Sequence, residues 1–408
     1  MGADDGLALN RAPALSHTLA AQATERIGAA IAAGIDDFVD LRRDIHRHPE
    51  LAFKEHRTAA LVAERLADWG YEVTTGIATT GVVGTLRRGA GGRRLGLRAD
   101  MDALPIAEAT GLPYASVNEG VMHACGHDGH TAALLAAARY LAAHGEFDGT
   151  LQLIFQPAEE MGGGARKMIA DGLFERFPVD AVFGLHNWPC VDAGHLGCVV
   201  GPAMASVDQA VITVRGKGGH GAQPQETVDP VVASAHLITA LQSVVARNVN
   251  PLDMGVVTVG AIHGGLVANV IPDSVELKLT ARAFRPEVRE LLRQRVPALA
   301  RAQAESFGAT ADVAYQWGYP AVVNHAAETE FAREVALETL GADRVDPQFR
   351  PRTASEDFAY MLQERPGSYL FMGNGDSASL HSPKYDFNDA ILLPAATYWS
   401  RLVERYLA

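Results

Sequence analysis

Two strand-length runs constrain this chain's fold more than any other feature: TLQLIFQPA (150–158) and DAVFGLHN (180–187) are mostly apolar and, after Asp180, uncharged. A strand with one solvated face alternates apolar and polar residues. One that is apolar throughout must be covered on both faces, as in a parallel sheet held between helices. GVVGTLR (81–87) and RRLGLRAD (93–100) read as further strands, TAALLAAARYLAAHG (131–145) as a helix closed by glycine, and GARKMIADG (164–172) as a short helix. This alternation predicts an α/β domain with a mainly parallel sheet. Ahead of it, residues 17–47 read as one alanine-rich helix that stops at His48-Pro49.

The middle of the chain follows a different order. QAVITVRG (209–216) reads as a strand, Asp229-Pro230 opens a helix to about Arg247, and MGVVTVGAIHGG (254–265) and VELKLTARAF (275–284) are strands. Pro286 starts a helix to about Phe307, and ADVAYQW (311–317) closes the set. That β-α-β-β-α-β order predicts an inserted α+β, ferredoxin-like satellite domain. At 408 residues the chain exceeds what one core usually supports. The expected division is 1–202 and 316–408 as catalytic domain, with 203–315 as satellite.

A formal net charge of −13 argues against nucleic-acid and anionic-membrane partners. The three cysteines, Cys125, Cys190 and Cys198, are too few and too odd for a disulfide framework and fit a reducing compartment. Asp4 and Asp5 stand where a signal peptide would be basic, and no run approaches the roughly 18 apolar residues of a spanning helix. A soluble cytoplasmic protein is expected, and none of these features points to a chemistry.

Chemistry concentrates in four places. HACGHDGH (123–130) holds four potential metal ligands in eight residues. In extended backbone Cys125 and His127 point the same way, whereas His123 and His130 serve equally well for capping or packing. QPAEE (156–160) ends a buried strand, where open α/β sheets bind ligands. In extended chain adjacent glutamates project oppositely, so one of them can bind metal while its neighbour faces elsewhere; a solvated acidic pair is the plain alternative. His186 in GLHNWP (184–189) and His381 in LHSPKYDFND (380–389) complete the set. Each histidine taken alone has a structural explanation, and the case rests on convergence at one edge of the sheet. Five ligands with one shared make three bonds per metal, the pattern of open catalytic sites. Two ions about 3.5–4 Å apart can activate a shared water and polarise a carbonyl. Glu159 is then the candidate general base, and Asp102 in RADMDALP can orient a ligand histidine. Thiolate leans towards zinc, carboxylate suits manganese, and imidazole suits zinc or nickel.

GKGGHG (216–221) fits the dinucleotide pattern G-x-G-x-x-G, but Pro224 follows, the helix waits until Asp229-Pro230, and residues 235–247 hold no acid. GGGA (162–165) lacks the lysine of a phosphate loop, and no G-x-S-x-G elbow is present. The glycines around His220 leave room for a backbone to approach a ligand, and a histidine so placed can donate to an oxyanion. A turn histidine in a hairpin explains it equally well.

RRDIHRHPEL, RADMDALPI, HACGHDGHTA, QPAEEMGGGA, GLHNWP, GKGGHGAQP, ANVIPD, TARAF, SEDFAYM and LHSPKYDFND occur in this order. With these motifs the chain resembles the aminoacylase/carboxypeptidase clan of di-metal peptidases from about residue 38 to 405, closest to the subgroup of hippurate hydrolases and indoleacetyl-amino-acid hydrolases. The resemblance implies hydrolysis of N-acyl amino acids, and two divalent metals held by Cys125, His127, Glu160, His186 and His381, with Cys125 the shared ligand. It also implies Glu159 as base, His220 stabilising the transition state, Asn269 and Arg282 on the substrate carboxylate, and a homo-oligomer formed through the satellite domain. The clan leaves a dipeptidase, a carboxypeptidase or an inactive conjugate-binding protein as alternatives. TARAF keeps the subgroup's arginine but changes its flanks, and the first 35 or so residues have no counterpart.

Overall fold

The computed structural model describes residues 12–408; the first eleven, on which part of the signal-peptide reading rests, lie outside the described residues. The chain divides into two compact units, Met1–Gly201 with Asn324–Arg350 and Tyr360–Ala408, and Pro202–Val323 with Pro351–Ala359. The second unit thus continues past the expected limit at 315, because its last strand runs to Trp317, and it takes in a short return segment.

The first unit is built on an eight-stranded sheet. Its strands are β1 (Glu72–Ile77), β2 (Gly81–Arg88), β3 (Arg94–Asp100), β4 (Gly149–Gln156), β5 (Ala181–Pro189) and β6 (Leu196–Gly197), and, after the second unit, β13 (Val345–Asp346) and β14 (Gly367–Gly375). Their spatial order is β1-β2-β4-β3-β5-β14-β6-β13. The centre, β4-β3-β5-β14, is parallel throughout, while β1, β2 and β6 join antiparallel. All eight residues of β4 are buried, as the apolar run demanded. The strand β14 was not anticipated. Its sequence GSYLFMGNG carries only a short apolar stretch between glycines, yet eight of its nine residues are buried against β5.

Helix α4 (His127–His144) packs on this sheet and is buried on nearly every side. Alanines at 132, 133, 136, 137 and 138 keep it slim enough for the sheet and for α10 (Leu392–Tyr406) to close on it. Leu134 and Leu135 are fully buried, each contributing about 1.5–3 kcal/mol. The single helix expected over 17–47 is two, α1 (Ala12–Ala32) and α2 (Asp36–Arg47). The break falls at Gly34, whose carbonyl accepts from Arg139 Nη2 at 2.8 Å while Asp37 accepts from Arg139 Nη1 at 2.8 Å. A Cβ at Gly34 would stand 2.2 Å from Nη2.

The second unit has β7 (Ser206–Arg215), β8 (Gly219–His220), α7 (Pro230–Asn248), β9 (Gly255–His263), β10 (Val270–Ile271), β11 (Ser274–Ala283), α8 (Pro286–Glu305) and β12 (Thr310–Trp317). Four of the strands form an antiparallel sheet in the order β9-β11-β7-β12. Asp229 caps α7, accepting from the amides of Val231 and Val232, with Pro230 at the first helical position. The two helices bury Leu237, Leu241, Val244, Leu292 and Val296 against the sheet. Strands β8 and β10 pair as a separate small ribbon. Among the described residues no helix is long and apolar enough to cross a membrane.

Candidate metal centre

Backbone turns place the two glutamates. After β4 the chain turns through Ala158 in the left-handed region (φ 55) and enters a one-turn helix, α5 (Glu159–Gly162). The buried Glu55 fixes this turn: its carboxylate accepts from the amides of Ala158 (2.9 Å) and Phe53 (3.0 Å) and from Thr80 Oγ1 (2.5 Å). Asp102, just beyond β3, accepts from the amides of Glu159 (3.0 Å) and Glu160 (2.9 Å). It thereby meets the unpaired N–H groups of α5. His127 Nδ1 lies 2.9 Å from the Asp102 carbonyl and 3.3 Å from its carboxylate. Asp102 therefore touches the His127 ring and also holds the backbone of both glutamates.

His127 opens α4 directly after Gly126 (φ 89). His186 lies on β5 and is buried. His381, also left-handed (φ 64), is fixed by its amide donating to the Ala124 carbonyl at 2.8 Å. The loop after it is pinned by Arg42, which is fully buried and meets Asp389 at 2.8 Å and Asp386 at 2.9 Å. His46 Nδ1 lies 2.8 Å from Asp128 beside His127. The motif RRDIHRHPEL thus braces two segments that carry candidate ligands.

The candidate ligand atoms converge. Those of Cys125, His127 and His186 all lie within 4.8 Å of one another, as do those of Cys125, Glu160 and His381. Cys125 belongs to both triplets. Cys125 Sγ is 3.5 Å from His186 Nε2, and His381 Nε2 is 3.2 Å from Glu160 Oε1. Bond lengths of about 2.1 Å to N or O and 2.3 Å to S at tetrahedral angles put such pairs about 3.4–3.6 Å apart. His127 Nε2 and Glu160 Oε1 are buried without a hydrogen-bond partner, an arrangement costly for protein alone and natural for a cation's ligands. Glu159 is buried and its carboxylate falls in a third triplet with His127 and Glu160.

The electrostatics also fit a cation. Burial, then the carboxylates of Glu160, Glu159 and Asp100, push the Cys125 thiol well above its usual range, so a thiolate there requires positive charge. Burial and the neighbouring His130 keep His186 neutral, with its lone pair available. Burial opposes charge on His127, but Asp100, Asp102 and Glu160 raise its pKa to about 10; that excess of negative charge is what a divalent ion would balance in place of a proton. The donor set of two imidazoles, a carboxylate and another imidazole around one shared thiolate therefore fits two ions.

His130 is a satisfied core histidine, with Nδ1 2.6 Å from Asp100 and Nε2 accepting from the Asn187 amide at 3.0 Å. His123 is buried without partners for either ring nitrogen, and burial lowers it to about 3. The three remaining predicted residues lie in the second unit. His220 on β8 and Asn269 before β10 are exposed neighbours, the Gly221 amide donating to the Asn269 carbonyl at 2.8 Å. Arg282 on β11 is half-buried and its Nη1 donates to Ser355 Oγ at 3.1 Å, with no carboxylate partner among the described residues. Burial lowers its pKa. Sequence reasoning missed Glu55, Asp100 and Asn187, which act through hydrogen bonds that leave no spacing signal.

Residues 96–405 match peptidase family M20/M25/M40. The hippurate hydrolase of Campylobacter jejuni is 44% identical over 371 residues, spanning 91% of this chain and 97% of its own length. The N-acetyl-L-cysteine deacetylase of Bacillus subtilis is 41% identical, spanning 90% and 88%. An IAA-amino acid hydrolase of Arabidopsis thaliana is 39% identical, spanning 91% and 87%. A solved structure from Bacillus subtilis, a dinuclear metal binding peptidase, superposes with a TM-score of 0.80 at 34% identity, covering 92% of this chain and 99% of that one.

Proposed function

This chain belongs to peptidase family M20/M25/M40, and from that membership we propose how its own residues carry out the hydrolysis of N-acyl amino acids. It is a metal-dependent amidohydrolase that binds two metal ions. Cys125, His127 and His186 hold one ion and Cys125, Glu160 and His381 the other. The observation that carries this assignment is the presence of Cys125 in both triplets. Two bound ions supply Lewis acidity to a water and to the scissile carbonyl.

Glu159 is the general base. Its buried carboxylate takes one proton from the attacking water as the oxygen joins the acyl carbon, and delivers it to the nitrogen as the C–N bond breaks. Asp102 keeps Glu159 and Glu160 in place through their amides. Arg282, lacking an acidic partner, is proposed to pair with the substrate α-carboxylate together with Asn269, and His220 to donate to the oxyanion. We further propose a cytoplasmic location, supported by three unpaired cysteines, and a homo-oligomer formed through the second unit, supported by the open edge of β9 in its sheet. Zinc is the favoured ion because of the thiolate, with manganese and nickel as alternatives.

A relative named thermostable carboxypeptidase 1, 38% identical, gives a second reading, cleavage of peptides. Acetyl-, benzoyl- and indoleacetyl-amino acids assayed beside dipeptides separate the two. The expected outcome is higher kcat/KM on acyl substrates; a preference for dipeptides across the panel would overturn the assignment.

A further inference from the structure

The scheme above gives Asn187 no task, yet every polar group of this residue is engaged and all of its partners border the metal centre. Asn187 is buried, next to His186 on β5. Its amide donates to His130 Nε2 at 3.0 Å, and its side-chain Nδ2 donates to the Cys125 carbonyl at 2.7 Å. Its Oδ1 accepts from Tyr385 Oη at 2.5 Å, and its own carbonyl faces His186 Nδ1 at 2.5 Å.

These partners settle the tautomers. Asp100 accepts from His130 Nδ1 at 2.6 Å, so His130 Nε2 is the acceptor that the Asn187 amide requires. His186 must donate from Nδ1 to the Asn187 carbonyl, which leaves the Nε2 lone pair directed at the centre, 3.5 Å from Cys125 Sγ. One residue therefore holds Cys125 by its main chain and His186 by its ring. The fit allows no slack: a Cβ on Gly126 would stand 2.3 Å from Asn187 Nδ2 and 2.6 Å from Tyr385 Oη.

We propose that Asn187 is a positioning residue that sets the separation of Cys125 Sγ and His186 Nε2, and through it the metal affinity of the Cys125–His127–His186 triplet. The proposal rests on the reading of that triplet as a metal site. Groups beyond the ligands that orient them are worth about 10–100-fold in metal affinity.

The test compares wild type, Asn187→Ala and Tyr385→Phe, each loaded with Co²⁺ and dialysed against graded EDTA. Bound cobalt and the thiolate-to-cobalt charge-transfer band are both followed. Asn187→Ala is expected to give up one ion at about 10–100-fold lower EDTA, with a weakened band. Tyr385→Phe, which removes only the hydroxyl on Oδ1, is expected to shift in the same direction by less. If both variants keep two ions and the wild-type band at wild-type EDTA, Asn187 is merely structural, whatever happens to melting temperature. Should Asn187→Ala fail to fold, Tyr385→Phe decides alone. A wild-type chain that never holds two ions would instead overturn the di-metal reading itself.

Discussion

The two compact units hold most of their candidate site residues in different ways. In the first, Cys125, His127, Glu159 and His186 are buried and their surroundings are bonded in advance by Asp102, Glu55 and Asn187. In the second, His220 and Asn269 are exposed on a small ribbon, and the Arg282 guanidinium donates to Ser355 with no carboxylate partner among the described residues. Groups that must hold reacting atoms to a fraction of an ångström sit in a preformed shell. The groups proposed to meet the substrate are left accessible, where a ligand would complete their bonding. Substitutions in the first unit should therefore change chemistry or stability, those at Asn269 and Arg282 should change substrate affinity, and a change at His220, the proposed oxyanion donor, should lower kcat.

The largest break in that contrast comes from Glu159→Gln, which keeps the shape and removes the base. kcat should fall by about 10²–10⁴-fold while metal analysis still finds wild-type content. Equal activity, or loss of metal with activity, would remove Glu159 from its role. A smaller effect concerns the brace at His46. Burial opposes its charge, but Asp128 holds its pKa up at about 9 against an ordinary 6.5. Because the folded value is raised, this contribution is complete below about pH 6.5 and disappears as pH rises through 9. It is on the order of 3 kcal/mol. Melting temperature should fall across that range in wild type, and His46→Gln should flatten the slope. The smallest effect is Arg282→Lys, which keeps charge but loses the fork. KM for an N-acyl amino acid should rise about tenfold with kcat little changed; a fall in kcat alone would break the division of labour between the units.

Much of this was legible in the sequence, for stateable reasons. An uncharged, mostly apolar run such as TLQLIFQPA reads as a covered strand, whereas Cys125 and His127 meet not across the extended backbone expected but across Gly126 in the left-handed region, with His127 already in the helix. The β-α-β-β-α-β order was similarly plain from its proline-capped helices. What stayed hidden depends on contacts between distant residues. Strand β14 is defined by pairing with β5 rather than by its own composition, and the break between α1 and α2 is made by Arg139, 105 residues beyond Gly34. Asn187 looked like any residue after a histidine, because a hydrogen bond to the Cys125 carbonyl, 62 positions away, has no local signature.

Ala158 and His381 share a further property: both are non-glycine residues held at positive φ beside the ligand set. An L-residue in that conformation gives up roughly 1–2 kcal/mol relative to glycine, whereas glycine gives back about 0.5–1 kcal/mol through the unfolded chain. Replacing Ala158 by glycine should therefore leave thermal resistance unchanged or raise it by up to about 1 kcal/mol. The same change frees the hinge on which Glu159 is mounted, so turnover should drop as melting temperature holds or climbs. Heat resistance and turnover are thus set against each other at that one position.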